Sequence, residues 1–168
     1  MSRGFVKEDD QEEIPIVPQR AFLPEGVTNF VTRHGMNQLL EEKQLLVNEK
    51  DSLNITNENE KRIALNYINA KLQLLNNRIA GAKIVNLNEQ PQNEIRFGAL
   101  ITLKSEASQK IQNFQIVGVD EADISKGKIS FISPLAKVLI NKKIGDKVIL
   151  NRAKENIAFE IMDIAYRQ

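Results

Sequence analysis

The side chains best suited to chemistry are four carboxylates near the middle of the chain. They fall between positions 49 and 60 and are Glu49, Asp51, Glu58 and Glu60. Proteins commonly hold Mg²⁺ through one or two carboxylates, with the remaining ligands supplied from elsewhere. Acids in such a place are also typical of a solvated helix end, where they interact favourably with the helix dipole. The residues alone favour this second interpretation and leave the first open.

A second acidic group follows the apolar run from Ile116 to Val119 and contains Asp120, Glu121 and Asp123. Acids after a strand could form a metal site. More often they close a turn, because their oxygens accept hydrogen bonds from nearby backbone N–H groups. The spacing therefore favours a turn.

A short helix start could act as a docking knob. A serine at the N-cap followed by a proline in the first turn is typical of the start of a helix. The four residues here are Ser133, Pro134, Leu135 and Ala136. A simple helix start explains the same residues equally well. The single histidine, His34, has no neighbouring serine or cysteine, so a catalytic dyad is not expected.

Composition excludes several classes of protein. The chain has 168 residues, 27% of them charged, with a net charge of +1 and no cysteine. Disulfides and thiolate metal sites are therefore unavailable, and a strongly basic nucleic-acid surface is excluded. No apolar run approaches the roughly 20 residues that cross a bilayer, and no signal peptide is recognisable. We expect a soluble cytoplasmic protein with no membrane contact.

Helices must position the first group of acids. Apolar residues recur with the spacing of a coiled-coil seam at Leu39, Leu46 and Leu53, and again from Ile68 to Ala82. Between the runs, Asn57 with Glu60 three residues later has the form of a capping box. The pattern predicts an antiparallel helical hairpin over 31–86, with arms of about 22–28 residues and a tip near 54–59.

The regions around the hairpin have a different character. Residues 1–30 hold three of the five prolines and six acids, which favours an extended or disordered leader. Residues 87–93 are polar and predict a linker. From 94 to 168 we expect an α+β domain with one short helix at Pro134–Ile140. Its predicted strands are Ile95–Leu103, Asn113–Val119, Lys128–Ile132, Lys147–Asn151 and Ile157–Tyr166.

Several separated motifs resemble the bacterial Gre transcript-cleavage factors, in a short-armed form, and the likeness covers about residues 31–168. In chain order they are Arg96-Phe97-Gly98-Ala99, Ile116-Val117-Gly118 with the acids that follow, Lys128-Ile129-Ser130, Ser133-Pro134-Leu135-Ala136, Gly145-Asp146 and Glu160 to Tyr166. The resemblance implies an FKBP-like domain with an antiparallel sheet, following the helical hairpin. It also implies a monomeric accessory factor, rather than an enzyme, which binds bacterial RNA polymerase.

In that family the hairpin enters the secondary channel of the polymerase. Tip acids help to hold a Mg²⁺ ion of the polymerase, which itself hydrolyses the 3′ end of backtracked RNA. By resemblance, Glu58, Asp51 and Glu60 are the candidate tip acids, with Glu58 and Asp51 sharing the ion only inside the complex. The chain needs no cofactor of its own, and its contact with the nascent RNA is indirect. The residues expected to bind the polymerase are Ser133, Pro134, Leu135, Ala136, Asp120 and Glu121.

Two departures from the family pattern support a different role. The family tip reads Asp-x-x-Glu-Asn, and here Glu58 and Asn59 match, whereas Ile55 stands in place of the aspartate. Each arm is also about two turns, roughly 11 Å, shorter than in full-length members. The alternative is therefore a regulator that occupies the channel without stimulating cleavage.

Two functions from other classes complete the hypotheses. A prolyl isomerase would need a concave aromatic-lined cavity. The chain has no tryptophan and five aromatic residues after position 90, most of which the core would require. A coiled-coil dimerisation module would instead pair the hairpin seams of two chains.

Overall fold

The computed structural model describes residues 14–167 and contains a helical hairpin followed by a β-rich domain. Helix α1 spans Arg33–Asp51 and helix α2 spans Glu58–Ala80. They pack against each other and are joined by a short turn, so they run antiparallel. With 19 and 23 residues, the helices are about 28 and 35 Å long. The helical hairpin is confirmed, although α1 is shorter than expected, because it begins after its N-cap Thr32 and already ends at Asp51.

The seam of the hairpin follows the predicted apolar positions. Leu39 and Leu46 of α1 and Leu75 of α2 are buried together, with Met36 and Leu72 packed around them. The end of α1 stays partly accessible, since Leu53 lies beyond the last helical turn. Leu39 and Leu46, spaced seven residues apart in α1, therefore share one buried apolar cluster with Leu75 of α2.

A small sheet joins the two ends of the hairpin at its base. Strand β1, Asn29–Val31, pairs in parallel with strand β2, Ala82–Ile84. Both β1 ends, Asn29 and Val31, are buried. The expected leader thus gives its last residues to a strand. The rest of its described part, residues 14–28, contains no helix or strand but is held by the ion pairs of Arg20. The remainder of the predicted leader, residues 1–13, lies outside the described residues.

The β-rich domain has a five-stranded sheet in the order β5-β4-β3-β7-β6. One short helix, α3, spans Pro134–Leu139. The strands are β3 Leu100–Ser105, β4 Ile111–Val117, β5 Lys128–Ser130, β6 Lys147–Asn151 and β7 Asn156–Ala165. All five strands and the helix were predicted, and the α+β class is confirmed.

Two details of the sheet differ from expectation. The sheet is mixed rather than antiparallel, because β5 pairs with β4 in parallel. Residues 118–127 carry the chain back along β4, so that β5 runs in the same direction as β4. The first strand also begins five residues later than predicted. Gly98 has a φ of +88° and Ala99 donates to the carbonyl of Arg96, so the backbone turns there instead of extending.

The core of the domain includes a residue from the predicted linker. Residues 87–93 begin with a single turn of 3₁₀ helix, Leu87–Glu89, and Leu87 is buried among Ile95, Phe97 and Ile101. A side chain on Gly98 would collide with Leu87, so glycine is required at this contact. The segment is therefore part of the domain's packing because its one large apolar residue fills the core.

Candidate functional site

The tip of the hairpin is polar and exposed, and its geometry is set by Asn57. The Asn57 side chain accepts hydrogen bonds from the backbone N–H groups of Asn59 and Glu60, each at 3.0 Å. The predicted N-cap is thus confirmed. Glu58 and Glu60 lie in the first turn of α2, where the helix dipole favours negative charge. Asp51 ends α1, and all three candidate acids are exposed.

These acids do not form a metal centre by themselves. Within residues 14–167, no three carboxylate or histidine side chains are close enough together to hold a metal ion. A hard cation needs six or more oxygen ligands, so one or two exposed carboxylates leave most of its shell unfilled. Any metal held with Glu58 and Asp51 would therefore depend on ligands from another molecule.

Glu121, expected on a polymerase-binding surface, instead lies inside the joint between the hairpin and the domain. Its Oε2 accepts a hydrogen bond of 2.6 Å from Thr32 Oγ1, and its Oε1 lies 3.1 Å from Lys128 Nζ. Thr32 Oγ1 in turn accepts from the backbone N–H of Gly35, which caps α1. The Glu121 side chain is 3% exposed. It joins the start of the hairpin to β5 and is not available to a partner in this conformation.

Asp120 lies at the same joint and contacts two arginines. Its Oδ1 accepts from Arg20 Nε and Nη2 at 3.2 and 3.1 Å, and its Oδ2 lies 3.1 Å from Arg78 Nε. Arg20 also donates to both carboxylate oxygens of Glu42. The hydrogen bond to Glu42, opposed by burial, raises the pKa of the Arg20 guanidinium above its ordinary value. Asp120, expected in a turn and as a polymerase-binding residue, therefore forms ion pairs within the chain in this structure.

Close backbone contact completes the joint. Phe30 packs against Phe97 and Phe131, with ring centroids 6.0 and 5.8 Å apart. A Cβ on Gly118 would lie 2.6 Å from the carbonyl oxygen of Phe30, so glycine permits β1 to lie against the domain. The aromatic residues of the domain are thus packed into its core and this joint. This agrees with the expectation that the core requires most of them and leaves few for the cavity of a prolyl isomerase. The start of the hairpin is fixed directly to the domain.

The predicted docking knob is only partly exposed. Ser133 caps α3, since its Oγ accepts from the backbone N–H of Ala136 at 3.3 Å. Pro134 is exposed, Leu135 packs partly against the core, and Ala136 is fully buried. The predicted N-cap is confirmed, whereas Ala136 cannot offer its side chain to a partner because it faces the sheet. Pro134 is the member of this group best placed for a contact.

Sequence reasoning missed Arg20, Glu42, Arg78 and Thr32. Their partners are far away in the chain, with Arg20 and Asp120 separated by 100 positions. The available signal was weak: one arginine in a leader whose other described charge is acidic.

The part of the chain given by residues 14–167 contains no helix long and apolar enough to span a bilayer.

Comparisons with known proteins bear on the C-terminal domain. Residues 90–166 match the family described as "Transcription elongation factor, GreA/GreB, C-term". Over 100 residues, the chain is 39% identical to the transcription elongation factor GreA of Pelobacter propionicus and 33% identical to that of Maricaulis maris. These matches cover 60% of this chain and 63% and 64% of the relatives. The chain thus spans less than two thirds of their length.

Solved structures give similar but more distant matches. The Gfh1 protein of Thermus thermophilus is 21% identical, with a TM-score of 0.39 covering 82% of this chain and 99% of that one. A GreA/GreB elongation factor from Nitrosomonas europaea is 16% identical, with a TM-score of 0.42 covering 82% and 98%. Together with the family match, the curated relatives establish the resemblance seen in the sequence. Residues 90–166 of the chain are thus similar to the C-terminal domain of the GreA/GreB transcription elongation factors.

Proposed function

We propose that this chain binds bacterial RNA polymerase and acts as a transcription elongation factor, with the β-rich domain docking on the enzyme and the hairpin entering its secondary channel. The observation that carries the proposal is the family match of residues 90–166, joined through a close-packed base to a projecting hairpin. Pro134 and the partly buried Leu135 are the residues proposed to contact the polymerase.

The shape and surface of the hairpin suit a narrow water-filled channel. Its seam buries Leu39, Leu46 and Leu75, whereas Leu40, Leu45 and Ile63 remain exposed on its sides. Its tip carries exposed polar and acidic residues. Two packed helices form a rod about 20 Å wide, since each helix with its side chains measures roughly 10–12 Å across. Such a rod can be withdrawn from a channel without exposing a new apolar surface, because its seam is satisfied within the chain.

The finer proposal is that the tip stimulates cleavage of backtracked RNA. Glu58, assisted by Asp51 or Glu60, would supply a carboxylate to a Mg²⁺ ion bound by the polymerase, and that ion would promote attack of water on the RNA. The exposure of all three acids supports this role, because among residues 14–167 none of their carboxylates has an ion pair that would have to be broken.

The alternative is that the chain regulates the polymerase from within the channel without stimulating cleavage. One observation favours it: partly buried Ile55 occupies the place of the family's tip aspartate. A rod in the channel would still block substrates or other channel-binding factors by occupying space.

Replacing Glu58 by glutamine separates these two roles. If Glu58 supplies a metal ligand, E58Q should slow the shortening of RNA in backtracked complexes by about tenfold or more, a scale seen when groups at metal sites are altered. Transcripts resolved on a gel, with and without the protein, give the rate. Glu41→Gln is a matched control, because it removes an exposed acid from α1 away from the tip. If the protein binds the polymerase but no transcript is shortened, the cleavage hypothesis is wrong and regulation from within the channel remains.

A further inference from the structure

We propose that Arg20 is a positioning residue, and that the segment 19–23 around it is a strap that fixes the direction of the hairpin relative to the C-terminal domain. The existence of the strap follows from contacts within the chain. Its purpose, aiming the hairpin into a channel, rests on the proposed function. Arg20 would act through the hairpin and need not contact the polymerase.

The Arg20 guanidinium bridges the hairpin and the domain. Nη1 and Nη2 donate to the two oxygens of Glu42 at 2.8 and 3.0 Å, midway along α1. Nε and Nη2 donate to Oδ1 of Asp120, which lies three residues after the end of β4 in the domain. These two carboxylates are 78 positions apart in the sequence, and one side chain from a third segment joins them.

Arginine is suited to this bridge and lysine is not. The planar guanidinium can meet one carboxylate with two parallel hydrogen bonds and still offer its Nε edge to a second. The Arg20 side chain is 19% exposed and that of Asp120 is 10% exposed, so solvent screens their interaction only partly. A lysine at this position would offer a single ammonium and could not hold both carboxylates in the same geometry.

A second arginine ties the backbone of the strap to the other helix. Arg78 of α2 donates to the carbonyl oxygen of Ala21 and pairs with Asp120 through its Nε. Phe22, in contrast, is 76% exposed. The strap is therefore held mainly by polar contacts to α1, α2 and the domain, and loss of Arg20 should release it without opening the apolar core.

The length of the hairpin explains why its direction matters. From Arg33 to Asp51, α1 extends about 28 Å from the joint. A tilt of about 20° at the base would move the tip by about 10 Å, which is several times the 2.0–2.1 Å separation of Mg²⁺ from an oxygen ligand. The Thr32–Glu121 contact holds the start of α1, whereas Arg20 reaches Glu42, ten residues after Thr32. That second point of attachment constrains the tilt.

Distances between spin labels in the free protein test the strap. The chain has no cysteine, so Asn54→Cys at the tip and Lys137→Cys on α3 provide two unique exposed labelling sites. Pulsed EPR should give a narrow distance distribution for the otherwise unchanged chain. With Arg20→Ala, the distribution should broaden or its mean should shift by about 5–10 Å, the scale set by a tilting rod of this length. Arg20→Lys should give an intermediate result.

Controls distinguish positioning from simple stabilisation. Arg62→Ala removes an exposed arginine that donates to Asn59 near the tip, and it should leave the distribution unchanged. If Arg20→Ala fails to fold, Glu42→Gln removes the bidentate contact through a more exposed residue and should broaden the distribution in the same way. An unchanged distribution in the folded variant overturns the proposal, even if its melting temperature falls. Because polymerase is absent, failure of the proposed function would not affect this outcome.

Discussion

Leu75→Ala is expected to lower the free energy of unfolding by about 2–5 kcal/mol, the range measured for truncating a buried leucine. Leu75 is fully buried in the seam of the hairpin, where it packs against Leu39 and Leu46 of the facing helix. Truncation leaves a cavity in the apolar cluster that holds the two helices together. Urea unfolding followed by circular dichroism at 222 nm measures the change.

Ile63→Ala is the matched control for this prediction. It removes a large apolar side chain from the same helix, but Ile63 is 53% exposed, so its loss should change the free energy of unfolding by less than about 1 kcal/mol. Equal effects of the two variants would mean that the seam is not formed as described. Failure of Leu75→Ala to alter helix content or stability would contradict the packed hairpin directly.

Glu121→Ala is expected to cost about 2–3 kcal/mol and to loosen the joint between hairpin and domain. The substitution leaves Thr32 Oγ1 without its acceptor and Lys128 without its counter-ion, in a region where Glu121 is 3% exposed. The cost is smaller than for a fully buried ion pair because Lys128 is 22% exposed and can turn toward water. Unfolding by urea gives the energy, and proteolysis near residues 30–36 reports the loosening.

Glu121→Gln separates charge from hydrogen bonding at the same position. A glutamine oxygen can still accept from Thr32, so this variant should retain part of the stability and most of the resistance to proteolysis. Glu155→Ala removes an exposed acid from the far end of the domain and serves as the neutral control. If Glu121→Ala behaves like Glu155→Ala, the carboxylate does not hold the joint.

Local patterns in the sequence predicted most of the elements. The seven-residue apolar spacing predicted the helices, and Asn57 and Ser133 predicted where α2 and α3 begin. These signals succeed because capping and seam packing depend on residues a few positions apart. The strands were also predicted from local composition. Strand β3 begins later than predicted because Gly98 has a positive φ, which the neighbouring residues in the sequence do not reveal.

Contacts between distant segments could not be predicted from one sequence. Strands β1 and β2 have three residues each and are stabilised by each other across the hairpin. The acids 120 and 121 favoured a turn, but their carboxylates meet Arg20, Arg78 and Thr32, which come from three other parts of the chain. The role of the three tip acids in RNA cleavage remains a prediction, because it depends on metal ligands from outside the chain.

Photo-crosslinking from the hairpin tip to purified bacterial RNA polymerase tests the central claim most directly. A photoactivatable group on Asn54→Cys would report what the tip contacts, in a chain that has no other cysteine. We expect a stable complex in which the tip crosslinks to the lining of the secondary channel or to the RNA 3′ end, and in which Pro134→Glu weakens binding. A polymerase that does not retain the protein, or crosslinks confined to its outer surface, would contradict this account.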